Sequence, residues 1–155
     1  MQWTRWIWGA AGAVALATGV GYGADVHVPH KTVASPGPDA SPTDVVRTYV
    51  QAINDRDYST ANNLLARGPA LKNHRWFDAP TIKQLEILHV AGPYKGASTA
   101  PSSSVASYQQ VVQIDTQARF NHWDEGLPDG QQGWSYYLAR NANTERWRIV
   151  DQGQG

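Results

Sequence analysis

The spacing of hydrophobic positions changes several times along the chain, and each change marks a new element. From Trp6 to Ala24 no charged side chain interrupts an apolar run. At about 19 residues, it is close to the roughly 20 that cross a bilayer core as a helix. The pattern dissolves over residues 25–41, where Pro29, Pro36 and Pro38 stand among Ser, Gly and Asp. No regular period survives such punctuation, which predicts an extended, Pro-rich linker. A helical period then begins. Ser41 and Asp44 make an S-x-x-D start with Pro42 in the first turn, the signature of a capped helix N-terminus. Val45, Val46, Tyr49, Val50 and Ile53 follow on one helical face. Asn54 to Asp57 break the period. Tyr58, Ala61, Leu64 and Leu65 predict a second short helix, ended by Gly68 and Pro69.

Beyond Pro80 the period shortens to two. Ile82 to Ala91 is β-rich and stops at Gly92-Pro93. Residues 99–107 are rich in Ser and read as a loop. Tyr108 to Asn121 carries the clearest alternation. Val112, Ile114, Thr116, Ala118 and Phe120 point one way, and Gln113, Asp115, Gln117 and Arg119 the other. Residues 123–133 form a polar loop. A hairpin closes the chain, with Trp134, Tyr136 and Leu138 on one face, Trp147 and Ile149 on the facing strand, and Asn141 to Glu145 as the turn. Helices first and a mostly antiparallel sheet afterwards predict an α+β domain whose helices cover one face of the sheet.

The first 24 residues read as an address, in preference to a buried N-terminal helix of a soluble protein, because the run lacks a polar face. Arg5 and three Trp residues (Trp3, Trp6, Trp8) precede or open the apolar run. Aromatic side chains gather at membrane interfaces, which favours a retained signal anchor. The abundant Gly and Ala make the segment weakly apolar, which favours a cleaved signal peptide. Cleavage after Gly23 places the small residue Gly21 at the third upstream position; cleavage after Ala24 places Tyr22 there. Both alternatives put Arg5 inside and everything after Ala24 outside. The expected organisation is therefore a signal anchor or signal peptide over 1–24, a linker over 25–41 and a domain over 42–155. Residues 6–24 make the membrane contact, or the chain is secreted after cleavage.

Composition narrows the chemistry. The chain has no Cys, so disulfides, thiolate metal sites and a catalytic thiol are excluded. Formal net charge is zero, which excludes nucleic-acid binding through bulk electrostatics. Seven Trp against two Phe point to aromatic core walls or a stacking surface. His27 and His30 form an H-x-x-H pair in the linker without a third ligand, so no metal is expected. No phosphate-cradling loop, nucleophile elbow or zinc motif is present, and no cofactor is implied.

Two stretches carry a family resemblance. VVRTYVQAINDRDYSTANNLL (Val45 to Leu65) looks like the opening helix pair of the nuclear transport factor 2-like superfamily, and WSYYLARNANTERWRIVDQGQG (Trp134 to Gly155) looks like its final hairpin. The resemblance implies a cone-shaped fold, a curved sheet closed by N-terminal helices, which hosts many functions. With an N-terminal span it is similar to inner-membrane scaffold components of type IV secretion and conjugation machines, and to Mce-associated anchored proteins of actinobacterial type. It implies an extracytoplasmic, protein-binding scaffold in an envelope complex of a bacterium. A small-ligand binder using the cone is the first alternative, and an isomerase- or dehydratase-like enzyme the second.

The candidate residues follow from that cone. Tyr49, Trp134, Tyr136 and Trp147 would line it, as core walls or as ligand contacts. Enzymes of this fold use an inward Asp or His as base, which requires a tuned pKa and a polar partner. His89 shares parity with Leu85 and Ile87, so it is expected to face inwards. Asp115 alternates with its strand's apolar face and is expected outward. His74, His122 with Asp124, and Asp151 complete the titratable candidates. The open face of the sheet is expected to expose Tyr137, Val150 and Val111, a modestly apolar surface on which a homodimer could form.

Overall fold

The computed structural model describes residues 30–67, 71, 78–99, 104–123 and 127–154. The expected anchor over 1–24, and the candidates His27, His74 and Asp124, lie outside the described residues. Among the described residues no helix is long and apolar enough to cross a membrane.

Helix α1 spans Pro42–Asn54 and starts as the sequence predicts. Ser41 Oγ accepts the Asp44 amide at 3.2 Å, and Asp44 Oδ2 accepts the Ser41 amide at 3.3 Å. Its buried face carries Val45, Val46, Tyr49, Val50, Ala52 and Ile53. Helix α2 spans Tyr58–Asn63 and is capped by Asp57, whose Oδ1 accepts the Thr60 amide at 3.0 Å. Leu64 and Leu65 are buried but lie beyond its end. Their segment instead runs beside the C-terminal strand. Ile149 N donates to Leu64 O, and Ala66 N to Ile149 O, both at 2.8 Å.

Four strands form one antiparallel sheet in the order β1-β2-β3-β4, giving an α+β domain. They are β1 (Thr81–Tyr94), β2 (Gln110–Asn121), β3 (Gly130–Arg140) and β4 (Arg148–Gly153), with a one-turn helix α3 (Gly96–Thr99) after β1. Two boundaries differ from expectation. Strand β1 continues through Gly92 and Pro93, and β3 begins at Gly130 within the stretch read as a loop. There Gly130 to Gly133 pair with Phe120 to Gln117. Backbone groups make that pairing, so the polar side chains concealed it.

The main core lies between α1, α2 and the sheet. It joins the α1 face to Ile82, Val112, Ile114, Ala118, Phe120, Tyr136, Leu138 and Ile149. A smaller core lies on the opposite face, where Val105 covers Val111, Ala139 and Val150. Gly96 allows this cover: its amide donates to Tyr108 O at 2.9 Å, and a Cβ there would run into the Val105 carbonyl. Val111 (1% exposed) and Val150 (8%) are therefore not the open surface expected for a homodimer. Residues 104–108 have closed over them.

Residues 30–40 are likewise not an extended tether. Lys31 N donates to Asp55 O at 3.0 Å, and Val33 N to Asp57 Oδ2 at 2.9 Å. Thr60 Oγ1 returns a bond to Val33 O at 3.2 Å, and the Val33 side chain is buried. At the far end Arg140 Nη1 reaches Pro38 O at 3.4 Å. This strap runs antiparallel to α1, from its C-terminal end back to its start.

Candidate functional site

The face of the sheet beneath the helices carries the aromatic residues singled out in the sequence. Tyr49 of α1 and Tyr136 of β3 are fully buried and meet edge-to-face, with ring centroids 6.2 Å apart. Gln152 stands opposite Tyr136 in the β3–β4 pairing and donates Nε2 to the Tyr49 phenol oxygen at 2.9 Å. Burial pushes the Tyr49 phenol up to about 12, the Gln152 amide acting weakly against it. Burial also raises Tyr136, and Tyr49 beside it adds to the shift. Both phenols stay neutral at physiological pH and act only as hydrogen-bonding groups. The Tyr136 hydroxyl, the Trp134 Nε1 and the Gln152 Oε1 are buried without a hydrogen-bond partner. Such groups are uncommon and costly, which marks this wall as unfinished.

Trp134 lies one pleat further along, tilted on Phe120 at 5.1 Å and edge-on to Trp123 at 6.1 Å. Trp147 does not join the group. It sits just before β4, covered by the Arg140 guanidinium 4.3 Å from its ring centre. It borders an open groove of about 520 Å³ that also includes Val90, Pro93, Val112 and the strap from Pro38 to Pro42. Tyr49, Trp134 and Tyr136 thus form the aromatic wall, while Trp147, buried in the same core, also borders this groove.

The titratable candidates lie elsewhere. His89 does not face inwards: it pairs with Asp115, on the face away from the helices, and is exposed. The cause is a one-residue bulge at Leu88, which inverts the parity between Ile87 and His89. A second bulge, at Val150, does the same in β4. Asp151 therefore pairs with Tyr137 on the outer face, and Gln152 takes the inward place that simple alternation from Ile149 assigns to Asp151. Asp115 is outward, as its strand alternation predicts. Ser135 Oγ donates to its Oδ1 at 2.7 Å and Gln113 Nε2 at 2.8 Å. These two bonds hold its carboxyl below the ordinary range despite partial burial, with a further contribution from His89. In this row the carboxylate lies between Ser135 and His89, so no base is placed on the serine hydroxyl, unlike a Ser-His-Asp relay. His122 is exposed, 3.9 Å from Asp129, whose other oxygen accepts the His122 amide at 2.7 Å.

Gln152, Ser135, Gln113 and Arg140 are the site residues that the sequence reading missed. Gln152 depends on a bulge that no local signal announces. Ser135 was in reach, because Asp115 and Ser135 sit on the polar parity of adjoining strands. Among the described residues no group of three or more His, Cys, Asp or Glu could hold a metal ion. No family model matches the chain, and neither a characterised protein nor a solved structure matches it.

Proposed function

We propose that the chain is a membrane-tethered extracytoplasmic domain that binds a protein partner in an envelope assembly and does no chemistry of its own. We also propose that its fold is of the nuclear transport factor 2-like kind, with helices covering one face of an antiparallel sheet. One observation carries the functional reading. The side chains facing the helices are aromatic, aliphatic or amide, with the single hydroxyl of Thr116 donated to Trp134 O, while His89, Asp115, Asp151 and His122 stand outside that wall. The sheet wall beneath the helices offers no described carboxylate or imidazole for proton transfer, and the buried Asp57 lies off that wall, with its oxygens taken by the Val33 and Thr60 amides. The large apolar side chains exposed among the described residues are Leu88 (57%), Val90 (46%) and Tyr94 (50%), all on the edge strand β1. Such an edge suits contact with another protein. The test is site-specific photo-crosslinking from position 90 in native membranes. A discrete adduct that disappears with Leu88→Asp supports partner binding; the absence of any adduct from positions 88, 90 and 94 sinks it.

A second reading is favoured by the unpartnered Tyr136 hydroxyl and Gln152 carbonyl oxygen. A small polar ligand under the helices would satisfy both groups. Native mass spectrometry of the protein purified without denaturation tests it, because a bound small molecule appears as a defined mass increment that Tyr136→Phe reduces.

A further inference from the structure

The strap over residues 30–40 is held at two places and is loose between them. At the first, Lys31 N donates to Asp55 O, Val33 N donates to Asp57 Oδ2 and Thr60 Oγ1 donates to Val33 O, with the Val33 side chain buried. At the second, Ala40 packs against the main core and Arg140 Nη1 donates to Pro38 O. A turn closes there, Ala40 N donating to Gly37 O at 3.2 Å. Between the two, Ala34 and Ser35 are exposed and Pro36 is half-buried. The second place is also one wall of the groove, which Pro38 to Pro42 line together with Val90.

The chain between the two places has little slack. Helix α1 separates them, and its 13 residues rise about 20 Å. From Val33 to Ser41 the strap could reach about 27 Å if fully extended. The Gly37–Ala40 turn draws its own ends to within about 7 Å. What remains is about 24 Å, little more than the helix requires. Pro36 and Pro38 fix φ and stiffen the run, so it does not coil up as a Gly/Ser linker does. A strap this close to its limit passes a displacement at Val33 on to the turn.

We propose that residues 33–40 are a taut link through which the chain before Lys31 controls the wall of the groove. While Asp57 clasps Val33, the turn is held from both sides and the wall stays in place. When the clasp opens, the turn is held only by Arg140 and by the packing of Ala40, and the wall at Pro38 to Ala40 withdraws. Val90, one of the exposed side chains assigned above to partner contact, lines the same groove. The consequence for function rests on the membrane-tethered, partner-binding reading. Contact at this edge and displacement of the chain before Lys31 act on one equilibrium, and each shifts the other by the same factor.

The test adds slack without removing a contact. Gly-Ser-Gly inserted between Ala34 and Ser35 lengthens the loose stretch by up to about 10 Å. Full-length chain is compared as parent, as the insertion, as Asp57→Ala and as the two combined. The readouts are amide exchange at Ala40 and the dipolar broadening between spin labels at Asp39→Cys and Val90→Cys, in a chain that has no other Cys. Either change alone is expected to speed exchange at Ala40 on the order of tenfold relative to Leu138, and to reduce the broadening. Together they do no more than either alone, because both break the same link. Additive effects, or an Ala40 rate that ignores either change, would mean that the wall is set without the strap, and overturn the link. The insertion alone decides if Asp57→Ala does not fold. Neither readout needs a membrane or a partner, so the link can fail while partner binding stands, and the absence of adducts from positions 88, 90 and 94 leaves the link standing.

Discussion

Asn54 and Ile82 hold each other by both backbone polar groups: Nδ2 donates to the Ile82 carbonyl at 2.7 Å, and Oδ1 accepts its amide at 2.9 Å. One carboxamide thus joins the end of α1 to the start of β1 over 28 positions of chain. Asn54→Ala leaves a donor and an acceptor on a part-buried strand end. The expected loss is about 2 kcal/mol, because unpaired groups cost more than the net value of the bonds. Asn54→Asp keeps the acceptor, loses the donor and should fall between. Urea unfolding midpoints at constant slope measure both, and an Asn54→Ala midpoint equal to the parent would contradict the clasp.

Asp57 links the strap to α2, and its charge should appear in the pH dependence of stability. Burial pushes its carboxyl up, but the Val33 and Thr60 amides, with His30 nearby, outweigh that and hold it below 3.8. The unfolded chain therefore takes up this proton first as the solution is acidified. The stabilisation is complete above 3.8 and is lost as pH falls through the lowered folded value. Asp57→Asn is expected to be less stable at neutral pH and to show a shallower acid decline. Parallel unfolding curves for parent and variant across the acid range would refute this account.

Much of the fold was open to reading because single elements obey single rules. The Ser41–Asp44 cap, the Val45–Ile53 face and the alternation of Val112 to Phe120 all appear as their local spacing dictates. The candidate site was less legible, because its membership is decided by the bulges at Leu88 and Val150. Each is one extra residue that moves the side chains after it, up to the next irregularity, to the other face. His89 and Asp151 left the interior that way, and Gln152 entered it. The strap at 30–40 was hidden for another reason. Prolines and serines report the lack of regular structure, whereas its attachment rests on the apolar side chains of Val33 and Ala40 and on backbone groups that composition does not show.

Tyr49 and Tyr136 are neighbours with opposite expectations. Tyr49→Phe discards the bond from Gln152 and strands that amide, at a cost of about 1–2 kcal/mol. Tyr136→Phe removes a buried hydroxyl that has no partner, so it should leave stability unchanged or raise it by about 1 kcal/mol. A clear loss in Tyr136→Phe would show that a bound molecule uses the hydroxyl, favouring the ligand reading over the scaffold. Alkaline titration adds a check: the Tyr49 phenol should ionise only at about 12, well after an exposed tyrosine.

Arg140 closes the distal end, and its loss should free the strap before it unfolds the sheet. Its Nε donates to Gln110 Oε1 at 2.8 Å, its Nη2 to Asn143 Oδ1 at 3.2 Å, and its Nη1 spans the carbonyls of Pro38, Asn143 and Glu145 at 3.4 Å. The same planar group covers Trp147. A lysine cannot reproduce that fork, since its ammonium is one point of charge rather than a plane of donors. Arg140→Lys should therefore cost about 2 kcal/mol, most of it from the hydrogen bonds and less from the cation–π contact. The local consequence distinguishes this from general weakening. Amide exchange at Ala40, which donates to Gly37 O, should speed up, while that of Ile114 and Leu138 follows only the global change. Equal acceleration at all three would mean that Arg140 stabilises the hairpin and does not hold the strap; faster exchange confined to the strap would place one end of the groove beside Trp147 under the control of a single side chain.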